Sequence, residues 1–284
     1  MAQGPDTATQ RGSAIEIDRV TKAFPVESGQ QFQALSEVTL RIKPGEFVSV
    51  VGPSGCGKST LMLMTAGLLS TSTGEIRVGG KPLTSPLTDV GIVFQDALLL
   101  DFRTALDNVL LQGKVRHMDM RAIGARAEEL LEQLGVADAK TRYPRQLSGG
   151  MRQRVAIARA LVHNPSLILM DEPFGALDAL TRLQVRYDLE ALWMSNRQTV
   201  LFITHSVEEA VGLSDRVIVM SPSPGRVIQE VAIDLARPRP LALGEIPELS
   251  HHVDQIYNTF EQMGVIHSRG PNGQARLEQL SGSR

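Results

Sequence analysis

The run Gly52-Pro53-Ser54-Gly55-Cys56-Gly57-Lys58-Ser59-Thr60 has the spacing of a phosphate-binding loop. Glycines let successive backbone N–H groups turn inward around a polyphosphate, and the dipole of a helix starting at the loop's end favours the same anion. Lys58 adds a full positive charge, and the Ser59 hydroxyl is a suitable magnesium ligand. The nine residues from Gly52 to Thr60 therefore predict a site for a nucleoside triphosphate with Mg2+, and by themselves leave kinases, GTPases and motors equally open.

Further along, Leu167 to Met170 delivers Asp171 and Glu172 to the end of an apolar run. Two adjacent carboxylates beside a core are costly unless a cation or a reaction uses them. Asp171 is assigned to the magnesium coordination sphere, and Glu172 to orienting or deprotonating the attacking water. Gln95 and His205 end two more apolar runs. Either alone reads as an ordinary structural residue; together with the acids they converge on one sheet edge. Gln95 would reach magnesium or the water, and His205 would donate to the terminal phosphate.

These side chains need a scaffold that brings them together. Phe47 to Val51, Val90 to Phe94, Leu167 to Met170, Val200 to Thr204 and Val217 to Met220 are short, nearly continuous apolar runs. Such runs suit strands buried on both faces, usually in a parallel sheet. Helical patterns alternate with them at Ser59 to Leu69, Met151 to Val162, Ala179 to Trp193 and Ser206 to Leu213, so the chain is expected to be α/β. Alternation at Val38, Leu40 and Ile42, and at Ile76 and Val78 before Gly79-Gly80, predicts an N-terminal antiparallel layer. Between Ala97 and Gln146 only helices are expected, at Thr104 to Gln112 and Arg121 to Leu134. The Arg237-Pro238-Arg239-Pro240 run stops regular structure, and Leu249, Val253, Ile256, Phe260 and Met263 then recur at helical spacing. The expected layout is a polar tail over 1–13, an ATP-binding core over 14–96 and 147–240, an inserted helical subdomain over 97–146, a helical extension over 241–267 packed on the core, and a second polar tail over 268–284.

Composition narrows the class. The 284 residues are 42% hydrophobic and 21% charged, with a formal net charge of -2, a balance typical of a globular protein and unsuited to a dedicated nucleic-acid surface. Cys56 is the one cysteine, so no intrachain disulfide is available. No secretory signal and no apolar stretch of about 18 residues is present. A cytosolic location is expected, with any membrane link made through a partner.

The segment Leu147-Ser148-Gly149-Gly150-Met151-Arg152-Gln153-Arg154 is a second glycine-rich helix start able to hold an anion. Taken in order, Gly52 to Thr60, Gln95, Leu147 to Arg154, Asp171-Glu172, Gly175 to Asp178 and His205 resemble the nucleotide-binding subunits of ABC transporters over about Ile15 to Pro240. That resemblance implies a P-loop ATPase fold with an inserted helical subdomain. It also implies a homodimer in which Ser148, Gly149 and Gly150 of one subunit close over the ATP on the other's phosphate loop, while Gly175 to Asp178 senses the neighbour. An aromatic residue ahead of the loop would stack on adenine, with Phe24 the better match and Phe32 its rival. Ser206 followed by Glu209 reads as a capping box without a catalytic role.

Within the family, Val93-Phe94-Gln95-Asp96, Tyr143-Pro144, Phe174 to Asp178, Ser223-Pro224-Gly225-Arg226 and the Arg-Pro run look most like the group serving nitrate, sulfonate and taurine importers. Two positions depart from it. Leu99 is followed by Leu100, Asp101, Phe102 and Arg103 where relatives carry a Pro-Trp pair, and Met151 stands where many have Gln. The resemblance implies two membrane-spanning permease subunits, an extracytoplasmic solute-binding protein and a place on the cytoplasmic membrane face. Its alternatives are a soluble ABC-type ATPase of DNA repair or translation, and the motor of a lipid or drug exporter.

Overall fold

The computed structural model describes residues 12–26, 29–239 and 247–266. The polar tails expected at the two ends lie outside these residues, apart from residues 12 and 13. Six strands form a mixed sheet in the order β10-β9-β3-β8-β7-β6. Its parallel part comprises β3 (Phe47–Val51), β6 (Val90–Val93), β7 (Leu167–Asp171), β8 (Thr199–Ile203) and β9 (Arg216–Met220). The edge strand β10 (Val227–Ala232) runs antiparallel to β9. Every residue of β3 and of β8 is buried, which is why these strands read as continuous apolar runs instead of alternating ones.

Successive side chains of the sheet feed opposite layers. Phe47, Val200, Phe202, Ile168 and Met170 pack with helices α2 (Ala105–Val115), α3 (Met120–Gln133), α4 (Gly149–Leu161) and α5 (Ala179–Asn196). The Phe47 ring meets Trp193 of α5 edge-on, with centroids 5.6 Å apart. On the other face, Val48, Val50, Leu169, Leu201 and Ile203 bury α1 (Lys58–Thr65) against a second, antiparallel sheet of order β2-β1-β4-β5. That sheet contains β1 (Ile15–Pro25), β2 (Gln31–Ile42), β4 (Thr73–Val78) and the two-residue β5 (Lys81–Pro82). The fold is thus the expected α/β type, with an antiparallel layer and a mixed core sheet.

Strands β1 and β10, besides the two-residue β5, are missing from the sequence reading, and the largest shift of a helix end is at α1. The pattern gives no sign of β1 because its alternation breaks: Ile15, Ile17 and Val20 point inward, with a bulge at Asp18 and Arg19, where Arg19 has φ 46°. One extra residue shifts the period and erases the signature. β10 escapes the pattern because Gln229 and Glu230 interrupt its apolar content. Helix α1 stops at Thr65 instead of reaching Leu69. Gly67 there adopts φ +73°, and a Cβ on it would sit 2.5 Å from the Ser85 carbonyl oxygen.

A third cluster joins Val51, Val217 and Val219 of the sheet to α6 (Val207–Leu213) and α7 (Pro247–Gln262). Leu249, Ile256 and Phe260 are the residues of α7 buried in it. Before α7, Arg237 stacks on Trp193, its guanidinium carbon 4.4 Å from the ring centroid, and pairs with Glu190 at 2.7 Å and Asp215 at 2.9 Å. Arg239 is 3% exposed and donates to the carbonyls of Val211, Ser214 and Ile233. The Arg-Pro run therefore ends regular structure and at the same time clamps α5 to α6.

His163, in the turn after α4, gives a pH dependence. Burial pushes its imidazole down to about 4, Arg116 acts in the same direction, and Asp89 opposes them. The unfolded chain takes up this proton near 6.5 and the folded chain only near 4, so the stability it contributes is complete above 6.5 and is lost as pH falls through that window. Urea denaturation should show a loss of up to about 3 kcal/mol from this residue between pH 7 and pH 4. A His163→Gln chain should lose that much less over the same interval.

Candidate nucleotide site

The phosphate loop begins where β3 ends and closes at the first turn of α1. Gly57 occupies the N-cap with φ 98°, and a Cβ there would lie 2.5 Å from Leu35 Cδ2 and 3.0 Å from the Ala34 carbonyl. Only glycine fits both demands. Helices α2 to α6 each receive a side-chain cap, from Thr104, Asp119, Ser148, Asp178 and Ser206. α1 receives none, so its first N–H groups are left for a ligand, and the loop backbone and helix dipole favour an anion there. Lys58 is 6% exposed and donates to the carbonyls of Gly52 at 2.8 Å and Pro53 at 3.0 Å, which folds the loop around its ammonium. The Cys56 thiol of the loop is buried, and burial pushes its pKa up, which lowers its thiolate fraction.

The remaining chemistry lines up along the same sheet edge. Strand order puts β8 beside β3, then β7, then β6, so His205, Asp171-Glu172 and Gln95 follow the phosphate loop in a row at the carboxyl ends of neighbouring parallel strands. Burial pushes the Asp171 carboxyl up, and Ser59 and Lys58 oppose that rise. Its Oδ1 is buried with no hydrogen-bond partner. An orphaned carboxylate oxygen next to a hydroxyl and facing a phosphate loop is a donor set that suits a hard divalent cation such as Mg2+.

Glu172 has φ 44°, a left-handed conformation that costs a non-glycine residue about 1–3 kcal/mol. It is held there by its N–H on the Ile203 carbonyl at 2.8 Å and by Gly175 N–H on its own carbonyl at 3.1 Å. The turn aims the carboxylate at His205, whose Nδ1 lies 3.2 Å from Glu172 Oε2. Gln95 is exposed, and its amide nitrogen is 3.7 Å from where a Cβ on Gly175 would stand; Glu172 Oε2 is 3.8 Å from the same point. The structure therefore brings Lys58, Ser59, Asp171, Glu172, His205 and Gln95 to one edge.

The second glycine-rich segment does not join them. Ser148 caps α4 by accepting from Met151 N–H at 3.2 Å, and among the described residues no hydrogen bond links Ser148, Gly149 or Gly150 to the phosphate loop. A Cβ on Gly150 would meet Thr181 Cγ2 at 2.8 Å, so this helix start rests against the beginning of α5. Met151 is partly buried against the core. Phe24 and Phe32 face each other across β1 and β2; Phe24 is half-buried with the Lys22 ammonium 5.1 Å from its ring centroid, while Phe32 is 49% exposed.

A family profile for ABC transporters matches residues 35–175. The aliphatic sulfonates import ATP-binding protein SsuB of Pectobacterium atrosepticum is 42% identical over 89% of this chain and 90% of its own. The taurine import ATP-binding protein TauB of Rhizobium johnstonii is 45% identical over 78% and 85%. The chain belongs to the ABC transporter ATP-binding family. It is accordingly an ATP-binding, ATP-hydrolysing cassette. The dimeric post-hydrolysis structure of the cassette MJ0796 bound to ADP and Pi superimposes with a TM-score of 0.70 at 34% identity, covering 78% of this chain and all of that one.

One reading of the cassette is corrected by its geometry. Ser206 does cap α6, accepting from Glu209 N–H at 3.2 Å, but Ser206 N–H donates to Thr204 Oγ1 at 3.0 Å instead of to Glu209. The Glu209 carboxylate accepts from Thr204 Oγ1 at 2.5 Å and lies 3.6 Å from Arg182 Nε on α5. A capping box explains only half of the pattern, and sequence spacing carried no signal for the other half because Arg182 lies 27 positions away. The loop itself yields a test. Gly57→Ala should abolish nucleotide binding in a fluorescent-nucleotide titration and lower thermal stability by about 2 kcal/mol or more, from the left-handed backbone and the clash at Leu35.

Proposed function

We propose that this cassette is the motor of an importer for a small sulfonate-like or taurine-like anion, hydrolysing ATP at a site completed by a second copy of itself. The import function is supported by the relatives that carry it in their names. The dimer is supported by the dimeric MJ0796 cassette and by the separation of Ser148–Gly150 from the phosphate loop within one chain.

In this reading the phosphate-loop amides from Gly52 to Thr60 and the Lys58 ammonium bind the phosphates, and Phe24 stacks on the adenine. Ser59, Asp171 and Gln95 hold Mg2+, which when bound offsets phosphate charge and orients the terminal group. Glu172 accepts the proton of the attacking water. His205 Nδ1 lies against Glu172 Oε2, which supports the role of its other nitrogen as donor to the terminal phosphate. Ser148, Gly149 and Gly150 of the second copy complete the cradle and exclude water, while Gly175 to Asp178 meets that copy. The observation that carries the reading is the Glu172–His205 contact at the sheet edge where the uncapped α1 opens.

Among the described residues no helix is long and apolar enough to cross a membrane. The membrane is reached through two permease subunits at its cytoplasmic face, with an extracytoplasmic solute-binding protein delivering the cargo. Residues 97–146 act as the helical subdomain that, with the segment from Gln95 to Arg103, docks on the permease.

Lys58→Ala should weaken ATP binding by about a hundredfold, as expected for losing a charge-assisted contact. Glu172→Gln should keep ATP affinity, lower kcat by about 10²- to 10⁴-fold, and accumulate an ATP-dependent dimer in light scattering. Normal turnover by Glu172→Gln would remove this carboxylate from the reaction. In proteoliposomes with the permease, hydrolysis should accelerate when the binding protein is loaded with an alkanesulfonate or taurine. Acceleration by DNA or ribosomes without permease would overturn the transport reading.

A further inference from the structure

Two segments of the site sit on different elements: the partner-facing loop Gly175 to Asp178 leads into α5, and His205 leads into α6. An ion pair between a buried carboxylate, Glu209, and a half-exposed guanidinium, Arg182, connects them. On α5, Arg182 Nη2 donates to the Leu177 carbonyl at 3.1 Å, inside the partner-facing loop, and Arg182 N–H donates to the Asp178 carbonyl. The same guanidinium lies 3.6 Å from Glu209 Oε1. Glu209 Oε2 accepts from Thr204 on one side of His205, and Glu209 N–H donates to Ser206 on the other. Both neighbours of His205 are thus anchored to one residue, Thr204 to the Glu209 carboxylate and Ser206 to its backbone N–H.

Glu209 is 7% exposed, and burial pushes its carboxyl up, opposed by Thr204, Arg182, His205 and Arg186. Arg186, itself buried, lies between Glu209 and Glu190, and Glu190 is engaged by Arg237. Among the groups around Glu209, Arg182 is the one that also holds the Leu177 carbonyl, so a shift of that carbonyl that moves Arg182 changes the contacts of Glu209. The first turn of α4 reports to the same place, since Gly150 lies against Thr181 and Leu177.

We propose that Arg182 and Glu209 are a positioning pair that ties the placement of His205 to the conformation of the partner-facing loop, so that His205 is set for hydrolysis when the second copy seats Gly175 to Asp178. This rests on the roles given above to His205 and to that loop. The pair is structural in one chain and kinetic in the dimer.

The test is a double-mutant cycle on the full chain with Arg182→Gln and Glu209→Gln, each retaining a polar side chain. Three quantities are read: the Kd of a fluorescent ATP analogue, kcat, and the cooperativity of hydrolysis against ATP concentration. Each single variant should keep Kd within about twofold, lower kcat roughly tenfold through displaced His205, and flatten the cooperativity. The double variant should be no slower than the worse single one, the mark of a shared pathway. If Arg182→Gln melts below the assay temperature, Arg182→Lys replaces it, keeps the charge, and should retain a higher kcat than Glu209→Gln. Normal kcat and cooperativity in the single variants, kcat losses that multiply in the double variant, or an Arg182→Lys chain no faster than Glu209→Gln would overturn the pair. His205→Ala separates the two levels. If it hydrolyses ATP at the full rate, the reading of the site fails; if it is inactive while Arg182→Gln is fully active and cooperative, only the positioning pair fails.

Discussion

Parallel strands buried on both faces have no room for polar chemistry along their length. In β3, β7 and β8 the one side-chain hydroxyl away from the strand ends is Ser49, and it is satisfied by Ser214 at the end of α6. Charged and catalytic groups are therefore expelled to the strand ends, and because the strands are parallel those ends coincide. Lys58, His205, Asp171, Glu172 and Gln95 share one edge for this reason, although up to 147 positions separate them in the chain.

That edge is made reactive by groups left unsatisfied. α1 lacks the side-chain cap that α2 to α6 possess, Asp171 Oδ1 has no partner, and Glu172 sits in a left-handed turn. Each costs stability in isolation. The surrounding core offsets that cost: Phe202 packs at tilted angles against both Phe47 and Phe174, and Glu172 is pinned by its backbone hydrogen bond to β8. A rigid core holding a few unmet donors and acceptors is what allows an anion and a cation to be bound without rearranging the scaffold.

Around this centre, ion pairs organise what moves. Arg237 and Arg239 lock the end of α6 to α5, and Arg182 with Glu209 joins the starts of the same two helices. The helices that follow the Gly175–Asp178 loop and His205 are thus joined by ion pairs at both ends, and the buried Arg237–Glu190 pair is more restrictive than apolar contact because an unpaired charge in that setting is expensive.

Much of this was legible from residue order. The phosphate loop, the acids after Leu167 to Met170 and the second glycine-rich helix start are local patterns, with their chemistry and their element type encoded within about ten residues. Apolar runs of four or five residues identified the buried strands for the same reason. What depended on tertiary structure was everything that breaks local periodicity or crosses the chain: the bulge at Arg19 that hid β1, the left-handed Gly67 that shortens α1, the partner of Glu209, and the burial of Arg239. Periodicity reports which face an element hides, and it is blind to which distant residue meets that face. Packing alone selects those partners, and here it decides which of two neighbouring glutamates, Glu208 or Glu209, faces Thr204 and Arg182 and which faces Tyr257.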